Sequence, residues 1–233
     1  KPLGLGFIGG HAHFQAVLAF QRQHKDFAAF GRGREGKPAV LAMLVAQALR
    51  SAELFTGRND LLAQTDHIIS QLETELSNIV LIGMPGSGKS SMAKKLAKKI
   101  NKKFVDLDRE ITRLAGKSIP EIFQEDGEPH FRALESQIAM EFGKKNSLVI
   151  ATGGGIVLNP QNIFALKQNG KLVFIDRPVP ALATGGRPLS TGEQTLLAME
   201  KIRRPLYEKY QDMTILNQGP FIKVLEALIQ KVQ

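Results

Sequence analysis

The 233-residue chain contains no cysteine, no tryptophan and only two tyrosines. The missing cysteines exclude a disulfide scaffold, a thiolate zinc site and a cysteine nucleophile. The shortage of aromatic rings argues against a protein that stacks single-stranded nucleic acid on its surface. No apolar run approaches the roughly 20 residues that a membrane helix needs, and no charged-then-apolar signal segment opens the sequence. These absences predict a cytoplasmic protein.

Positive charge is concentrated in the second part of the chain. The net charge is +9, of which residues 78–233 carry +8 and residues 1–77 carry +1. Such an excess attracts polyanions in general, including nucleic acids, acidic lipids and phosphorylated small molecules. Nucleic-acid binding therefore remains a minor alternative, although lysines such as Lys94 and Lys98 are expected to be solvated on the face of one helix.

The spacing of apolar residues predicts two regions that meet near residue 77. Residues 39–56 and 59–76 have apolar side chains at helical spacing, so residues 1–77 are expected to form a mainly helical extension or linker. From residue 78 onward, unbroken apolar strands alternate with helices, which is typical of a parallel sheet covered on both faces. The predicted strands are residues 79–82, 104–108, 148–151, 172–175 and 214–216. The predicted helices of this region are residues 89–99, 109–115, 120–124, 128–144, 162–168, 193–210 and 220–231.

Residues 83–90 read Gly-Met-Pro-Gly-Ser-Gly-Lys-Ser and match the phosphate-binding pattern G-x-x-x-x-G-K-S. The motif lies after a predicted buried strand and at the start of a predicted helix, where its mechanism requires it. Its glycines let successive N–H groups turn toward phosphate oxygens. Lys89 would bring positive charge to the β- and γ-phosphates, and Ser90 would offer a hydroxyl to Mg²⁺. The motif predicts nucleotide binding and leaves the phosphoryl acceptor open.

Two aspartates end the second predicted strand. Asp106 and Asp108 are two residues apart, so they share a face if the strand continues through both. Ligands of open parallel sheets bind at this edge. One carboxylate could hold the metal through a water, and the other could accept a proton from an attacking hydroxyl. Alternatively, both aspartates simply cap the following helix.

Further residues could recognise an anionic phosphoryl acceptor. Arg132 and Glu135 are three residues apart on one predicted helix, so the glutamate can aim the arginine at a substrate carboxylate. The three glycines at 153–155 close a strand, and their N–H groups could approach a small acid with no side chain in the way. Arg187 lies in a Gly-rich loop and Arg203 begins Arg-Arg-Pro-Leu-Tyr, and each of them could also be an ordinary solvated charge.

Further motifs accompany the phosphate loop in a fixed order. They are FVDLD at 104–108, SIPEIF at 118–123, GEPHFRALE at 127–135, ATGGGIV at 151–157, RPL at 187–189 and RRPLY at 203–207. Together with the phosphate loop, they resemble the shikimate kinase family over about residues 78–232. The resemblance implies an α/β fold, a P-loop kinase three-layer α/β/α sandwich with a central parallel sheet. It also implies transfer of a phosphoryl group from ATP to the 3-hydroxyl of shikimate, on the route to chorismate and the aromatic amino acids.

The resemblance implies roles for particular residues. ATP would be bound by Gly86, Ser87, Gly88, Lys89, Ser90, Ser91 and Arg187. Mg²⁺ would be held by Ser90 and Asp106. Shikimate would be bound by Asp108, Arg132, Gly153, Gly154, Gly155 and Arg203. Catalysis would depend on Lys89, on Asp108 as base or orienting group, and on Arg187, which would move in with the lid and stabilise the transferring phosphoryl group.

The sequence departs from the family pattern beside the nucleotide. Family members often have a longer lid with a further arginine, whereas residues 178–186 contain no basic residue. The tail at 217–220 also lacks the arginine that some members place near the base. Two alternatives remain: another small-molecule P-loop kinase, acting on gluconate or nucleoside monophosphates, and a nucleotide-holding regulatory module. Arg132, the three glycines and Arg203 favour shikimate over these acceptors.

The part before the kinase motifs carries a weaker resemblance. Residues 42–57 are similar to the final helix of shikimate dehydrogenase, which implies a piece of a fused shikimate-pathway polypeptide. Because residues 1–77 are too short a stretch for a dehydrogenase, no dehydrogenase activity is expected there. We expect a monomer whose partners are the small molecules shikimate and ATP, and we expect neither nucleic acid nor membrane as a partner.

Overall fold

A computed structural model describes residues 38–182 and 193–232. The chain divides into two compact units, with the boundary after Leu72. The predicted domain boundary after residue 77 stays a prediction. Within the described residues, no helix is long and apolar enough to cross a membrane.

Among the described residues, two helices precede the sheet. Helix α1 (Pro38–Thr56) ends where Gly57 adopts a φ of 70°, and the Gly57 N–H donates to the Glu53 carbonyl at 2.9 Å. The buried Glu53 carboxylate accepts the N–H of Leu62 at 3.1 Å, which satisfies a donor at the start of the turn before helix α2 (Thr65–Leu76). Helical structure is therefore present where the apolar spacing predicts it.

Five parallel strands form the central sheet of the second unit. They are β1 (Asn78–Ile82), β2 (Lys103–Asp106), β3 (Leu148–Ala151), β4 (Gly170–Asp176) and β5 (Met213–Leu216). Their order across the sheet is β2-β3-β1-β4-β5, so β1 is central. Val80 of β1 lies opposite Ile150 of β3 and Leu172 of β4. A strand is thus present at each of the five predicted positions, and the five strands form one sheet.

Helices cover both faces of this sheet. They are α3 (Lys89–Lys99), α4 (Leu107–Ala115), α5 (Ile119–Glu121), α6 (Gly127–Gly143), α7 (Pro160–Lys167), α8 (Glu193–Tyr210) and α9 (Phe221–Val232). On one face, Leu81 packs with Leu96 of α3 and Leu228 of α9. On the other face, Ile82 packs in a cluster that includes Ile138 of α6. Because successive strand residues point to opposite faces, unbroken apolar strands produce two cores. The predicted three-layer α/β/α sandwich is confirmed.

The structure corrects two predicted elements. Strand β2 ends at Asp106, because the Asp106 carboxylate accepts the Asp108 N–H at 3.1 Å and caps α4. Asp106 and Asp108 therefore do not share a strand face. Helix α5 is a single turn that continues into a π-helical turn, Ile122–Asp126, rather than an α-helix over 120–124.

Candidate active site

The phosphate loop, residues 83–90, follows β1 and leads into α3. Gly83, Gly86 and Gly88 have φ values of 145°, 82° and 93°, a region in which other residues are strained. A Cβ atom on Gly83 would lie 2.6 Å from the carbonyl oxygen of Ile175 in β4. Glycine is therefore needed here for the turn and for the close approach of two neighbouring strands.

Lys89 lies across the phosphate loop. Its Nζ donates hydrogen bonds to the carbonyl oxygens of Gly83 at 2.9 Å and Met84 at 2.8 Å, and the residue is only 7% exposed. Two carbonyl acceptors restrict where the ammonium group can go. The loop thus fixes a positive charge at a position where phosphate oxygens can reach it.

One cavity of about 300 Å³ joins the phosphate loop to the predicted acceptor residues. The predicted residues that line it are Gly86, Gly88, Lys89, Ser90, Ser91, Asp108, Arg132, Gly153, Gly154, Gly155 and Arg203. Of the remaining predicted residues, Ser87 and Asp106 lie nearby without lining the cavity, and Arg187 lies outside the described residues. The carboxyl ends of β1, β2 and β3 bring these groups together, as expected for an open parallel sheet.

Two carboxylates approach the glycine turn after β3. A Cβ atom on Gly153 would lie 2.8 Å from Asp108 Oδ1 and 3.2 Å from Glu135 Oε1. The two aspartates therefore have different positions. Asp106 caps helix α4, as the alternative prediction had it, whereas Asp108 reaches the cavity from the first turn of that helix. The helical turn, rather than a continued strand, aims Asp108.

Arg132 is held by two glutamates of its own helix, α6. Its Nη1 donates to Glu135 Oε2 at 2.8 Å, and its Nη2 donates to Glu128 Oε1 at 2.9 Å. A Cβ atom on Gly155 would overlap the Arg132 guanidinium, so the glycine leaves the space that this group occupies. Arginine presents its donors in a planar fork that matches a carboxylate. The two glutamates hold the guanidinium in the cavity wall beside Gly155.

Glu135 is a buried acceptor within the cavity wall. The residue is 2% exposed, and its Oε1 has no hydrogen-bond partner among the residues that the structure describes. Burial raises the pKa of the Glu135 carboxyl, although Arg132 and Arg203 oppose the shift. A bound hydroxyl could satisfy the unpaired oxygen.

Arg203 and Arg204 are adjacent in sequence but differ in surroundings. Arg203 is 9% exposed and lines the cavity. Arg204 donates two hydrogen bonds to Asp176, Nη1–Oδ1 at 3.1 Å and Nη2–Oδ2 at 2.8 Å, at the end of β4. Only the first arginine of the Arg-Arg-Pro-Leu-Tyr motif is therefore available to a ligand in this cavity.

Comparison with known proteins gives the same assignment as the motifs. A sequence model described as shikimate kinase matches residues 85–233. The chain belongs to the shikimate kinase family. The shikimate kinase of Clostridium botulinum is 38% identical over 157 residues, which cover 65% of this chain and 94% of the relative. The solved structure of the shikimate kinase of Acinetobacter baumannii, in complex with shikimate, is 37% identical, with a TM-score of 0.62 over 70% of this chain and 93% of that protein.

One shikimate kinase relative is a fusion. The bifunctional shikimate kinase/3-dehydroquinate synthase of Thermotoga maritima is 37% identical over 162 residues, which cover 66% of this chain and 33% of that protein. The family match in this chain begins at residue 85. The similarity of residues 42–57 to shikimate dehydrogenase therefore stays a prediction.

The structure adds residues that the shikimate kinase motifs do not single out. A second cavity lies beside the first and is lined by Gly88 and Ser91 on one side and by Arg177, Asn217 and Phe221 on the other. Arg177 Nε is buried and makes no hydrogen bond to the described part of the chain. Asn217 Nδ2 donates to the Ser87 carbonyl at 2.7 Å and fixes the segment after β5 to the phosphate loop.

A sequence signal for Arg177 exists in hindsight. The residue follows Asp176, the last residue of β4, and the carboxyl ends of parallel strands are where ligands bind. Arg177 lies one residue before the lid segment 178–186, so a count of basic residues in that segment misses it. Asn217 carries no comparable signal, because its contact with Ser87 joins residues that are distant in the chain.

Proposed function

We propose that this chain catalyses the ATP-dependent phosphorylation of the shikimate 3-hydroxyl. The observation that carries the proposal is the single cavity in which the phosphate loop meets Asp108, Arg132 and Arg203. Phosphoryl transfer needs donor and acceptor in one enclosed site, and an acidic acceptor needs fixed cations. The relative from Acinetobacter baumannii, solved in complex with shikimate, supports the same acceptor.

The nucleotide occupies both cavities. Its phosphates are held by Gly86, Ser87, Gly88, Lys89, Ser90 and Ser91. The second cavity adjoins Gly88 and Ser91, so the nucleoside extends into it. Arg177 then lies beside the base or ribose and supplies a cation where the predicted lid lacks one. Its guanidinium is near the loop, with Nη1 4.0 Å from where a Cβ atom of Gly88 would be.

Shikimate occupies the other end of the first cavity. The Arg132 fork and Arg203 bind its carboxylate, and the N–H groups of Gly153, Gly154 and Gly155 approach the ring. The unpaired Glu135 Oε1 accepts a hydrogen bond from a ring hydroxyl. These contacts fix the 3-hydroxyl between Asp108 and the phosphate loop. Asp108 accepts a hydrogen bond from this hydroxyl.

The transfer forms one bond and breaks one bond. The 3-hydroxyl oxygen forms a bond to the γ-phosphorus as the bond from that phosphorus to the β,γ-bridging oxygen breaks, and ADP leaves. The hydroxyl proton passes to the Asp108 carboxylate and from there to solvent. Lys89 stabilises negative charge on the transferring group, and Arg187, which lies outside the described residues, is proposed to add a second positive charge there.

The residues fit Mg²⁺ delivered with ATP. No cluster of three or more histidine and carboxylate groups capable of holding a metal occurs in residues 38–182 and 193–232. Mg²⁺ commonly takes only one or two protein oxygens, with phosphates and waters completing its shell. Here the Ser90 hydroxyl would bind it directly and Asp106 through a water. The ion would neutralise part of the phosphate charge.

We propose further that residues 1–77 form a separate extension, a remnant of a fused shikimate-pathway protein. The fused relative from Thermotoga maritima shows that such kinases occur in longer polypeptides. We also propose a cytoplasmic monomer, because the described site residues of one chain line one cavity and need no second copy.

A coupled assay of ADP release tests the acceptor. Purified full-length protein with Mg²⁺ and ATP is offered shikimate, gluconate or AMP, with Lys89→Ala as the inactive control because it loses the phosphate-binding charge. We expect turnover with shikimate alone. Turnover confined to gluconate or AMP would replace the proposed acceptor, and nucleotide binding without any turnover would favour the regulatory module.

A further inference from the structure

We propose that the Tyr207 hydroxyl is a positioning group that holds Arg203 and the glycine turn after β3 in register. The proposal rests on the proposed shikimate-binding function of that side of the cavity. Tyr207 Oη donates to the carbonyl oxygen of Gly154 at 2.5 Å. Arg203 lies near the same hydroxyl, since its charge opposes the rise that burial causes in the Tyr207 pKa. The hydrogen bond to Gly154 thus ties α8, the helix that carries Arg203, to the glycine turn.

The hydroxyl lies where three elements of the site converge. Arg203 and Tyr207 are four residues apart on α8 and therefore share a helix face. Gly154 belongs to the turn after β3, and its missing side chain lets Pro85 of the phosphate loop lie against it, since a Cβ atom would be 2.6 Å from Pro85 Cδ. The Tyr207 oxygen is also 4.0 Å from the sulfur of Met84. Loss of this hydroxyl would therefore release the glycine turn from α8.

The ring and the hydroxyl of Tyr207 have separable roles. The residue is fully buried, and its ring stacks on Phe174 with a centroid distance of 5.1 Å and an interplanar angle of 20°. A phenylalanine at this position would keep that packing. The hydroxyl adds only polar contacts, and a polar group in a core is costly unless it is bonded. Burial raises the pKa of Tyr207 well above its ordinary value, so the proton donated to Gly154 is retained at neutral pH.

Tyr207→Phe tests the proposal, and Tyr210→Phe is its matched control on the same helix. Removing the hydroxyl releases the Gly154 carbonyl from α8, on which Arg203 lies, while leaving the ring. We expect the shikimate KM and Kd to rise about tenfold, the size expected when a hydrogen bond to a charged group loses its alignment. The ADP Kd and the ATP KM should stay within about twofold of the parent, because the phosphate loop keeps its own contacts.

Different failures give different results. A lowered melting temperature with unchanged shikimate KM would make the hydroxyl a structural group only and overturn the proposal. Equal losses for shikimate and ADP would also overturn it, because they indicate general damage to the site. If the parent enzyme itself does not use shikimate, the proposed function fails before the variant is compared.

Tyrosine fluorescence supplies a second readout that does not need Tyr207→Phe to fold. The chain has no tryptophan and its two tyrosines are Tyr207 and Tyr210, so Tyr207 is the only tyrosine in Tyr210→Phe. Shikimate binding to Arg203 should change the emission of that single tyrosine. An unchanged emission spectrum at saturating shikimate would contradict the proposal, and in Tyr207→Phe the remaining Tyr210 should respond little.

Discussion

Arg132 Nη1 donates to Glu135 Oε2 at 2.8 Å, and the accepting carboxylate is almost completely buried. Burial of a carboxylate is costly, and one arginine offsets only part of the cost because the other Glu135 oxygen is unpaired within the described structure. Stability alone does not require such a pair. A role in substrate binding would explain why the pair is present: Glu135 would orient Arg132 and accept a hydrogen bond from a substrate hydroxyl.

The first prediction concerns the cost of ionising Glu135. Burial raises the pKa of the folded Glu135 carboxyl above the ordinary value of 4.5. Between these two values the native state keeps a proton that the unfolded state has lost, so the free energy of unfolding falls as the pH rises. The stability that comes from the protonated Glu135 is complete below the pKa of the unfolded state. It is lost as the pH rises through the pKa of the folded state. Glutamine does not titrate, so Glu135→Gln does not lose this stability. The free energy of unfolding of the variant should therefore increase relative to that of the parent as the pH rises through this window.

Urea unfolding of parent and Glu135→Gln at a series of pH values measures this difference. Gln keeps the shape of the side chain but cannot ionise, and it pairs more weakly with Arg132. The change of the difference with pH, rather than its absolute size, is therefore the measurement. If the free energies of unfolding of parent and variant changed in parallel with pH, or if their difference had the opposite sign, Glu135 would ionise in the native state at least as readily as in water.

The second prediction separates the arginines by their surroundings. Arg132→Ala should raise the shikimate KM about 10- to 100-fold, because the proposed partner of the acceptor carboxylate is lost. The change should fall mainly on KM, since the contact is made equally in the ground and transition states. Steady-state kinetics with varied shikimate at saturating ATP measures the effect.

Arg204→Ala is the matched control. Arg204 pairs with Asp176 and is partly exposed. It is not among the described residues that line the cavity. Its loss should change the shikimate KM less than about twofold, as expected of a partly exposed ion pair. If Arg132→Ala weakens ATP instead of shikimate, or if Arg204→Ala raises the shikimate KM as strongly, the acceptor end of the cavity is misassigned.

Most of the fold follows from local patterns in the sequence. Strand β1 is an unbroken apolar run, so it predicts a strand buried on both faces, and the phosphate loop and the start of α3 at Lys89 follow directly. Cap chemistry was harder to foresee. The strand pattern runs through Asp108, but the Asp106 carboxylate accepts the Asp108 N–H and begins a helix two residues earlier than expected.

Long-range contacts account for the site residues that the sequence does not reveal. Tyr207 reads as a core aromatic, because nothing in the local sequence says that its hydroxyl meets Gly154, far away in the chain. The two arginines at 203 and 204 also look equivalent, and only the position of Asp176 at the end of β4 decides which one turns away. Spacing along one helix, by contrast, was enough to predict the Arg132–Glu135 pair.

The third prediction concerns proton transfer. Asp108→Asn keeps the shape of the side chain but cannot accept the hydroxyl proton as a carboxylate does. We expect kcat to fall roughly 10²- to 10⁴-fold, the usual range for loss of a general base, while the ADP Kd stays near that of the parent. Single-turnover kinetics would measure the chemical step separately from product release. An unchanged rate would leave Asp108 as a binding residue only.

The fourth prediction concerns the contact between the glycine turn and the phosphate loop. In Gly154→Ala the new Cβ atom would lie 2.6 Å from Pro85 Cδ and 3.0 Å from Pro85 N, and neither is the end of a flexible side chain. We expect a loss of about 1–3 kcal/mol in the free energy of unfolding, as for other overpacked sites, together with weaker binding of both substrates. Thermal unfolding and calorimetry check the two effects, and a stable variant with parental affinities would show that the contact can relax.

Isothermal titration calorimetry of the folded, full-length protein is the most direct test that one pocket holds both a nucleotide and a small hydroxylated acid. We predict that shikimate binds both alone and with ADP present, and that Arg132→Ala abolishes or strongly weakens its heat while the ADP titration is unchanged. Binding of ADP with no heat from shikimate under either condition would contradict the account.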